Sequence, residues 1–245
     1  AYTASALAFM LEGLGKPVIL TGSQIPLCQV RNDARENLIT ALMLAADCGI
    51  PEVCLYFGDR LLRGCRAVKV DAGGFEAFAS PNFPALGAVG VNIDLRRDLI
   101  RPLPDAGRGL RVREISAQPL ASLRLFPGIR PEIVRNLLRP PLTGLALEAY
   151  GVGNGPTGDR RFMEALEEAV GRGVVVVDCS QCLRATVDLS GYATGSALEG
   201  IGVISGYDLT VEAALVKLAF LFNQGLSPEE VKREMQRNLR GEMTL

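Results

Sequence analysis

Histidine does not occur among the 245 residues. Ser-His-Asp and Cys-His catalysis and imidazole-held metals are therefore excluded within this chain. Any proton transfer falls to Lys, Asp, Glu, Tyr or Cys. Two stretches place such groups at strand ends. "RLLRGCRAVKVDAGGFEAF" sets Lys69 between glycines, after one strand and ahead of an aromatic-flanked turn. "TGSQ" also follows a strand, and its Ser23 and Gln24 offer a hydroxyl and an amide to a small polar substrate. In open parallel sheets, ligands bind in the crevice beyond the strands' carboxyl ends. Burial would let Lys69 act as a base there. Taken alone, it reads as a solvated surface lysine.

Three further stretches have blander readings. "YGVGNGP" lies between a strand and a helix, with Asp178 ending the next strand, as a dinucleotide site would require. Pro156 stands where the third glycine belongs and removes a backbone donor, so a tight glycine turn is the better reading. "CSQC" spaces Cys179 and Cys182 as a C-x-x-C pair, but one pair without histidine is a poor zinc site. Two cysteines at a strand end beside a core account for it. In "GYDLTVEAALVKLAFLF", Thr210 or Asp208 serves as a helix cap and Glu212 lies in the first turn, which explains both acids without catalysis.

The elements that must position these groups alternate. Leu7, Met10, Leu11 and Leu14 have amphipathic spacing, with Thr3 or Ser5 as a cap and Gly15 and Pro17 as the stop. "VIL" and "EVCLYF" are strands flanking a helix over 34–46, with Leu38, Leu42 and Ala45 on its apolar stripe. The segment from Asp94 to Arg113 is charged, holds two prolines and two glycines and has no period, as a linker would. Beyond it, "SLRLFPG", "GLALEAYG", "GVVVVDCS" and "GVISG" are strands. Helices are predicted over 131–138, 160–170, 210–222 and 228–238, with Pro131 at a first helical position and Ser227 as a cap. The expected fold class is α/β with two domains: a larger N-terminal parallel-sheet domain over 1–95, incomplete here, a linker over 96–117, and a smaller C-terminal parallel-sheet domain over 118–245.

Composition narrows the partners. With 26 basic and 27 acidic residues the formal charge is -1, which offers no footprint to nucleic acid or an anionic membrane. The longest apolar runs, such as 174–177, are far too short to span a bilayer. Six scattered cysteines in a chain of this size do not form a disulfide framework. Cys48 and Cys54, beside apolar stretches, read as reduced and buried in a cytoplasmic protein.

Taken together and in order, "KPVILTGSQIP", "RNDAREN", "EVCLYFGDRLLRGCRAVKVDA", "FASPN", "YGVGNGP", "GYATG" and "NLRGEMT" resemble the cytoplasmic (type I) L-asparaginases over essentially the whole chain. The resemblance implies hydrolysis of L-asparagine to L-aspartate and ammonia, without cofactor or metal. It places Lys69 as the catalytic lysine, and Ser23 and Gln24 beside the substrate. Tyr192 is the candidate for a tyrosine that closes over a neighbouring subunit's site, or else a structural turn residue. Family members form homodimers and homotetramers. Their threonine nucleophile, second threonine and aspartate lie in an N-terminal Thr-Gly-Gly-Thr strand and a His-Gly-Thr-Asp motif that precede "AYTAS". The expectation is that this chain lacks them and is inactive alone. Cys182 fits an allosteric asparagine site, but Val68 stands for its threonine and Glu148 for its arginine, reversing the charge offered to a carboxylate. Two other readings are an amidohydrolase subunit of a tRNA-dependent amidotransferase, against which the missing basic patch speaks, and a non-catalytic amino-acid-binding or oligomerising module.

Overall fold

The structure is a computed structural model that describes residues 1–47, 49–105, 107 and 109–245, so Cys48 lies outside the described residues. The chain divides into two compact units, Ala1–Arg113 and Glu114–Leu245.

The first unit opens with α1 (Tyr2–Met10), whose Ala4, Ser5, Ala8 and Phe9 are buried. Neither Thr3 nor Ser5 caps it: both lie inside the helix, and the cap position is Ala1. The helix stops before the predicted Leu14 because β1 (Leu11–Glu12) leaves it as a strand. Then come β2 (Val18–Leu20), α2 (Ala34–Asp47), β3 (Val53–Phe57), β4 (Arg60–Arg63), one 3-10 turn (Gly64–Arg66), β5 (Val68–Lys69), β6 (Phe78–Ala79), β7 (Gly87–Val89), β8 (Ile93–Leu95) and β9 (Arg111–Val112).

The five-stranded sheet runs β2-β3-β4-β7-β8, and only its β2–β3 pair is parallel. This corrects the parallel sheet expected for this domain. The cause is local: Gly58 and Asp59 both take positive φ, +54° and +61°, the two-residue turn whose twist folds one strand straight back on the next. On α2 the inward residues are Asn37, Ala41 and Leu44, at i, i+4 and i+7. Leu38 and Leu42, expected to pack, are exposed.

The stretch expected to be a linker is tied into this unit as far as Arg113. β9 pairs antiparallel with β1, and the Arg113 amide donates to Met10 O. A buried ion pair between Arg63 and Glu52 holds the preceding turn. Arg63 Nη2 donates to Leu99 O at 2.7 Å, and Glu52 Oε1 accepts from the Arg101 amide at 2.6 Å.

The second unit runs β10 (Leu120–Arg124), α3 (Pro131–Leu137), β11 (Gly144–Ala149), α4 (Arg160–Gly171), β12 (Val175–Ser180), α5 (Ala193–Gly200), β13 (Ile204–Ser205), α6 (Val211–Asn223) and α7 (Pro228–Met235). Its sheet, β10-β11-β12-β13, is parallel throughout, as expected. Leu145, Leu147 and Val176 face α3 and α4 with Val134, Phe162 and Leu166. The alternate residues Ala146, Val175 and Val177 are equally buried, which is why these strands read as unbroken apolar runs. Local chemistry starts the helices. Asp159 accepts from the Arg161 and Phe162 amides, Thr210 accepts from the Ala213 amide, and Ser227 with Glu230 forms a capping box. Asp208 does not cap; it accepts from the Thr244 amide at 2.7 Å.

Candidate active site

Lys69 lies on β5, opposite Phe78 of β6 in an antiparallel pair, and its Nζ stands 5.1 Å from the centre of the Phe78 ring. Between those strands the backbone makes a tight loop. Asp71 accepts from the Gly73 amide at 2.7 Å. That bond first, and a second from the Gly74 amide, hold the Asp71 carboxyl below its ordinary range.

The loop after β2 reaches the same place. Gln24 Nε2 donates to Gly74 O at 2.8 Å. This turns its other amide atom, Oε1, toward Lys69 Nζ, which donates to it at 3.5 Å. The two strand-end groups singled out by type, 45 residues apart in sequence, therefore meet. Ser23 is half-buried beside Gln24. On the outer side Arg31 lies over the Phe75 ring at 5.5 Å, a second link between the two loops. An amine, an amide carbonyl and a neighbouring hydroxyl are thus presented together on two mutually braced loops. Lys69 itself is exposed rather than enclosed, so the chemistry here depends on what covers it.

Sequence reasoning missed the support of this site. Asp33 accepts from the Gln24 amide through both carboxylate oxygens, at 3.1 and 2.9 Å, and from the Ile25 amide at 2.9 Å. The signal was only the acid in "RNDAREN", which by default reads as a helix cap.

The remaining candidates lie in the second unit. Tyr192 occupies the cap position of α5 and is exposed; the helix after it was not foreseen. Cys182 is exposed, with its amide donating to Ser180 Oγ at 3.0 Å. Cys179 is buried. No group of three or more ligating side chains that could hold a metal occurs among the described residues. Glu148 pairs with Arg124 at 3.4 Å.

Asp178 is not aimed at a ribose. It is wholly buried on β12, and neither carboxylate oxygen has a hydrogen-bond partner. The turn "YGVGNGP" packs onto it. Gly153 takes a φ of +108°, and a Cβ there would stand 3.2 Å from Asp178 Oδ2. Burial pushes this carboxyl up to about 7. The unfolded carboxyl ionises near 3.8, so stability falls as pH rises between those values and is flat above them. Acidifying from pH 7.5 to 5 should add about 2–3 kcal/mol from this group. Asp178→Asn should flatten the profile, measured by urea unfolding at each pH; an unchanged slope would refute the assignment.

Comparison with known proteins places the chain among others. Residues 1–101 match the family "Asparaginase, N-terminal", and residues 120–235 match "Glutaminase/Asparaginase C-terminal domain". L-asparaginase 1 of Escherichia coli K12 is 51% identical over 244 residues, covering 100% of this chain and 71% of that protein. The human 60 kDa lysophospholipase is 49% identical, with 100% of this chain matched to 42% of that protein. One subunit of the glutamyl-tRNA(Gln) amidotransferase of Methanopyrus kandleri is more distant, at 34% identity, with 99% of this chain on 55% of that protein. The crystal structure of L-asparaginase I from Vibrio cholerae superposes with a TM-score of 0.94 at 50% identity, covering 100% of this chain and 73% of that one.

Proposed function

The chain belongs to the asparaginase family, and from that premise we propose that the protein is an amidohydrolase converting L-asparagine and water to L-aspartate and ammonia. The observation that carries the reading to individual residues is the contact between Lys69 Nζ and Gln24 Oε1 at the meeting of two strand-end loops. A threonine hydroxyl attacks the side-chain amide carbon of asparagine. Lys69 takes the hydroxyl proton, directly or through a relay, because an unassisted hydroxyl is a weak nucleophile. Lys69 returns that proton to the amide nitrogen as the tetrahedral oxyanion, held by backbone N–H donors, collapses; ammonia leaves, and water cleaves the remaining ester to aspartate and the free threonine. The threonine comes from sequence outside these 245 residues; the match to E. coli L-asparaginase 1 spans 71% of that enzyme.

Ser23 and Gln24 bind the substrate's polar groups. Tyr192, exposed at the start of α5, closes over the site of a neighbouring subunit in a homodimer or homotetramer. The exposed Leu38, Ile39, Leu42 and Met43 of α2 form an apolar surface that a subunit contact would cover. Cys182 is not assigned an effector role. Beside it in the family pattern stand the buried Val68 and the acid Glu148, which present neither the hydroxyl nor the guanidinium that a second asparagine would need. No disulfide joins the five described cysteines, and the cytoplasmic location is part of this reading through the resemblance to the cytoplasmic (type I) enzymes. No helix among the described residues is long and apolar enough to cross a membrane.

The test is product release. The full-length protein should yield equal aspartate and ammonia from L-asparagine, while the isolated 245-residue polypeptide should yield neither. Turnover only with a charged tRNA and a partner subunit would put the amidotransferase in place of this reading. Calorimetric binding of asparagine without turnover by the full-length protein would make it a binding module.

A further inference from the structure

We propose that Asp33 is a positioning residue of this site, setting the Gln24 side chain and, through it, Lys69; the inference rests on the hydrolase reading above. An acid at the start of a helix ordinarily caps it by accepting from the second or third amide of the first turn. Asp33 stands at that place on α2, since its carbonyl accepts from the Asn37 amide at 3.1 Å. Its side chain does something else. The capping bond is made one residue earlier, where Asn32 Oδ1 accepts from the Arg35 amide at 3.2 Å. With the helix end served by Asn32, the Asp33 carboxylate is free to turn back on the chain.

It turns onto the loop that carries Ser23 and Gln24. Three contacts join it to the Gln24 and Ile25 amides. A fourth comes from Asn37 Nδ2 at 3.3 Å, and the same Nδ2 donates to Gly22 O at 2.9 Å. One carboxylate and one buried amide therefore fasten backbone groups of residues 22, 24 and 25, on both sides of Ser23. Burial alone would raise this carboxyl, yet its bonds from Ile25, Gln24 and Asn37 together leave it below the usual range. A charged acceptor of that kind gives shorter, stronger bonds than a neutral one. From the fastened backbone the Gln24 side chain spans to Gly74 O and to Lys69 Nζ. The chain of bonds runs Asn37, Asp33, Gln24, Lys69, and Asp33 is its only carboxylate.

Asn at position 33 is nearly the same size, but either way round its NH2 faces donors, the Gln24 amide and Asn37 Nδ2 at the Oδ2 place or the Gln24 and Ile25 amides at the Oδ1 place, and the charge that strengthens these bonds is gone. The loop should then relax by a fraction of an ångström to an ångström. Displacement on that scale costs about tenfold to a hundredfold in rate. The experiment uses full-length protein, asparagine as substrate, and the variants Asp33→Asn, Gln24→Ala, their double, Asn37→Ala and Lys69→Met. Asp33→Asn should lower kcat about tenfold to a hundredfold with a smaller change in KM. In the Gln24→Ala background the same substitution should cost clearly less, because the part transmitted through the Gln24 side chain is gone and only the effect on the Ser23 backbone remains; a merely structural acid would cost the same in both backgrounds. Asn37→Ala should lower kcat in the same direction by a smaller factor, and that result decides the matter if Asp33→Asn does not fold. Wild-type kcat in Asp33→Asn, or an undiminished loss in the Gln24→Ala background, overturns the proposal. Two controls separate the levels: if the wild type releases no aspartate and ammonia, the hydrolase reading falls, and if Lys69→Met retains turnover, the catalytic role of Lys69 and this inference fall while the hydrolase reading stands. If Lys69→Met is dead while Asp33→Asn is unaffected, only the positioning role falls.

Discussion

Replacing Lys69 by Met in the full-length protein is expected to lower kcat/KM for L-asparagine about a thousandfold, within the range that a positioned base contributes. Stability should be untouched. Lys69 is exposed on a two-residue strand, and its contacts are one amide oxygen at 3.5 Å and one ring face. A surface change of this kind stays within about 0.5 kcal/mol. Lys69→Arg sharpens the test. Arginine keeps the positive charge and the ring contact but does not give up its proton. If Lys69 moves a proton, Arg should be nearly as inactive as Met. If Arg restores turnover, the lysine acts as a fixed charge and the base must be sought elsewhere.

How much of this was legible in sequence depended on distance along the chain. β3 and β12 were readable because buried strands are continuous apolar runs, and the start of α7 because its cap, Ser227, stands next to it. The antiparallel turn at Gly58-Asp59 was lost because a strand followed by a glycine looks the same whether the chain crosses over or folds back. α5 was lost because Gly195 and Gly200 interrupt its pattern and Tyr192 gives it no side-chain cap.

Around the site the same rule holds. Lys69 and Gln24 could be named singly, each as a polar residue past a strand, and the resemblance to asparaginases joined them. The Asp33 clamp had no such route. Its partners lie eight and nine residues back, against the direction in which a helix cap reaches, and only the folded chain shows that Asn32 has taken the cap.

Lys217 was the least legible group of all, a lysine in an apolar helix, and it carries the largest expected effect on stability. Its side chain and that of Glu242 are both wholly buried, 2.6 Å apart. Lys217 also donates to Met235 O at 3.0 Å and to Arg237 O. Glu242 accepts from the Leu239 and Arg240 amides. The pair thus pins the residues after α7 against α6. Lys217→Met fills much the same volume but strands the Glu242 carboxylate in the interior, which costs about 3–5 kcal/mol. Replacing both, as Lys217→Met with Glu242→Leu, should recover a good part of that loss, since no buried charge is left unpaired. Far-UV circular dichroism in urea reads both variants; the chain has no tryptophan to report by fluorescence. Burial by itself would raise Glu242, but Lys217 and the amide bonds outweigh it and hold the carboxyl low. Its stabilisation is therefore present above the ordinary carboxylate range and lost as pH falls below it, the reverse of Asp178. Wild type should accordingly gain stability from pH 7.5 down to about 5 and lose it in stronger acid. In Lys217→Met the gain should persist while the acid loss shrinks. A loss under about 1 kcal/mol in Lys217→Met would mean that water or a rearranged tail reaches Glu242, and that the buried pair does not hold this end of the unit.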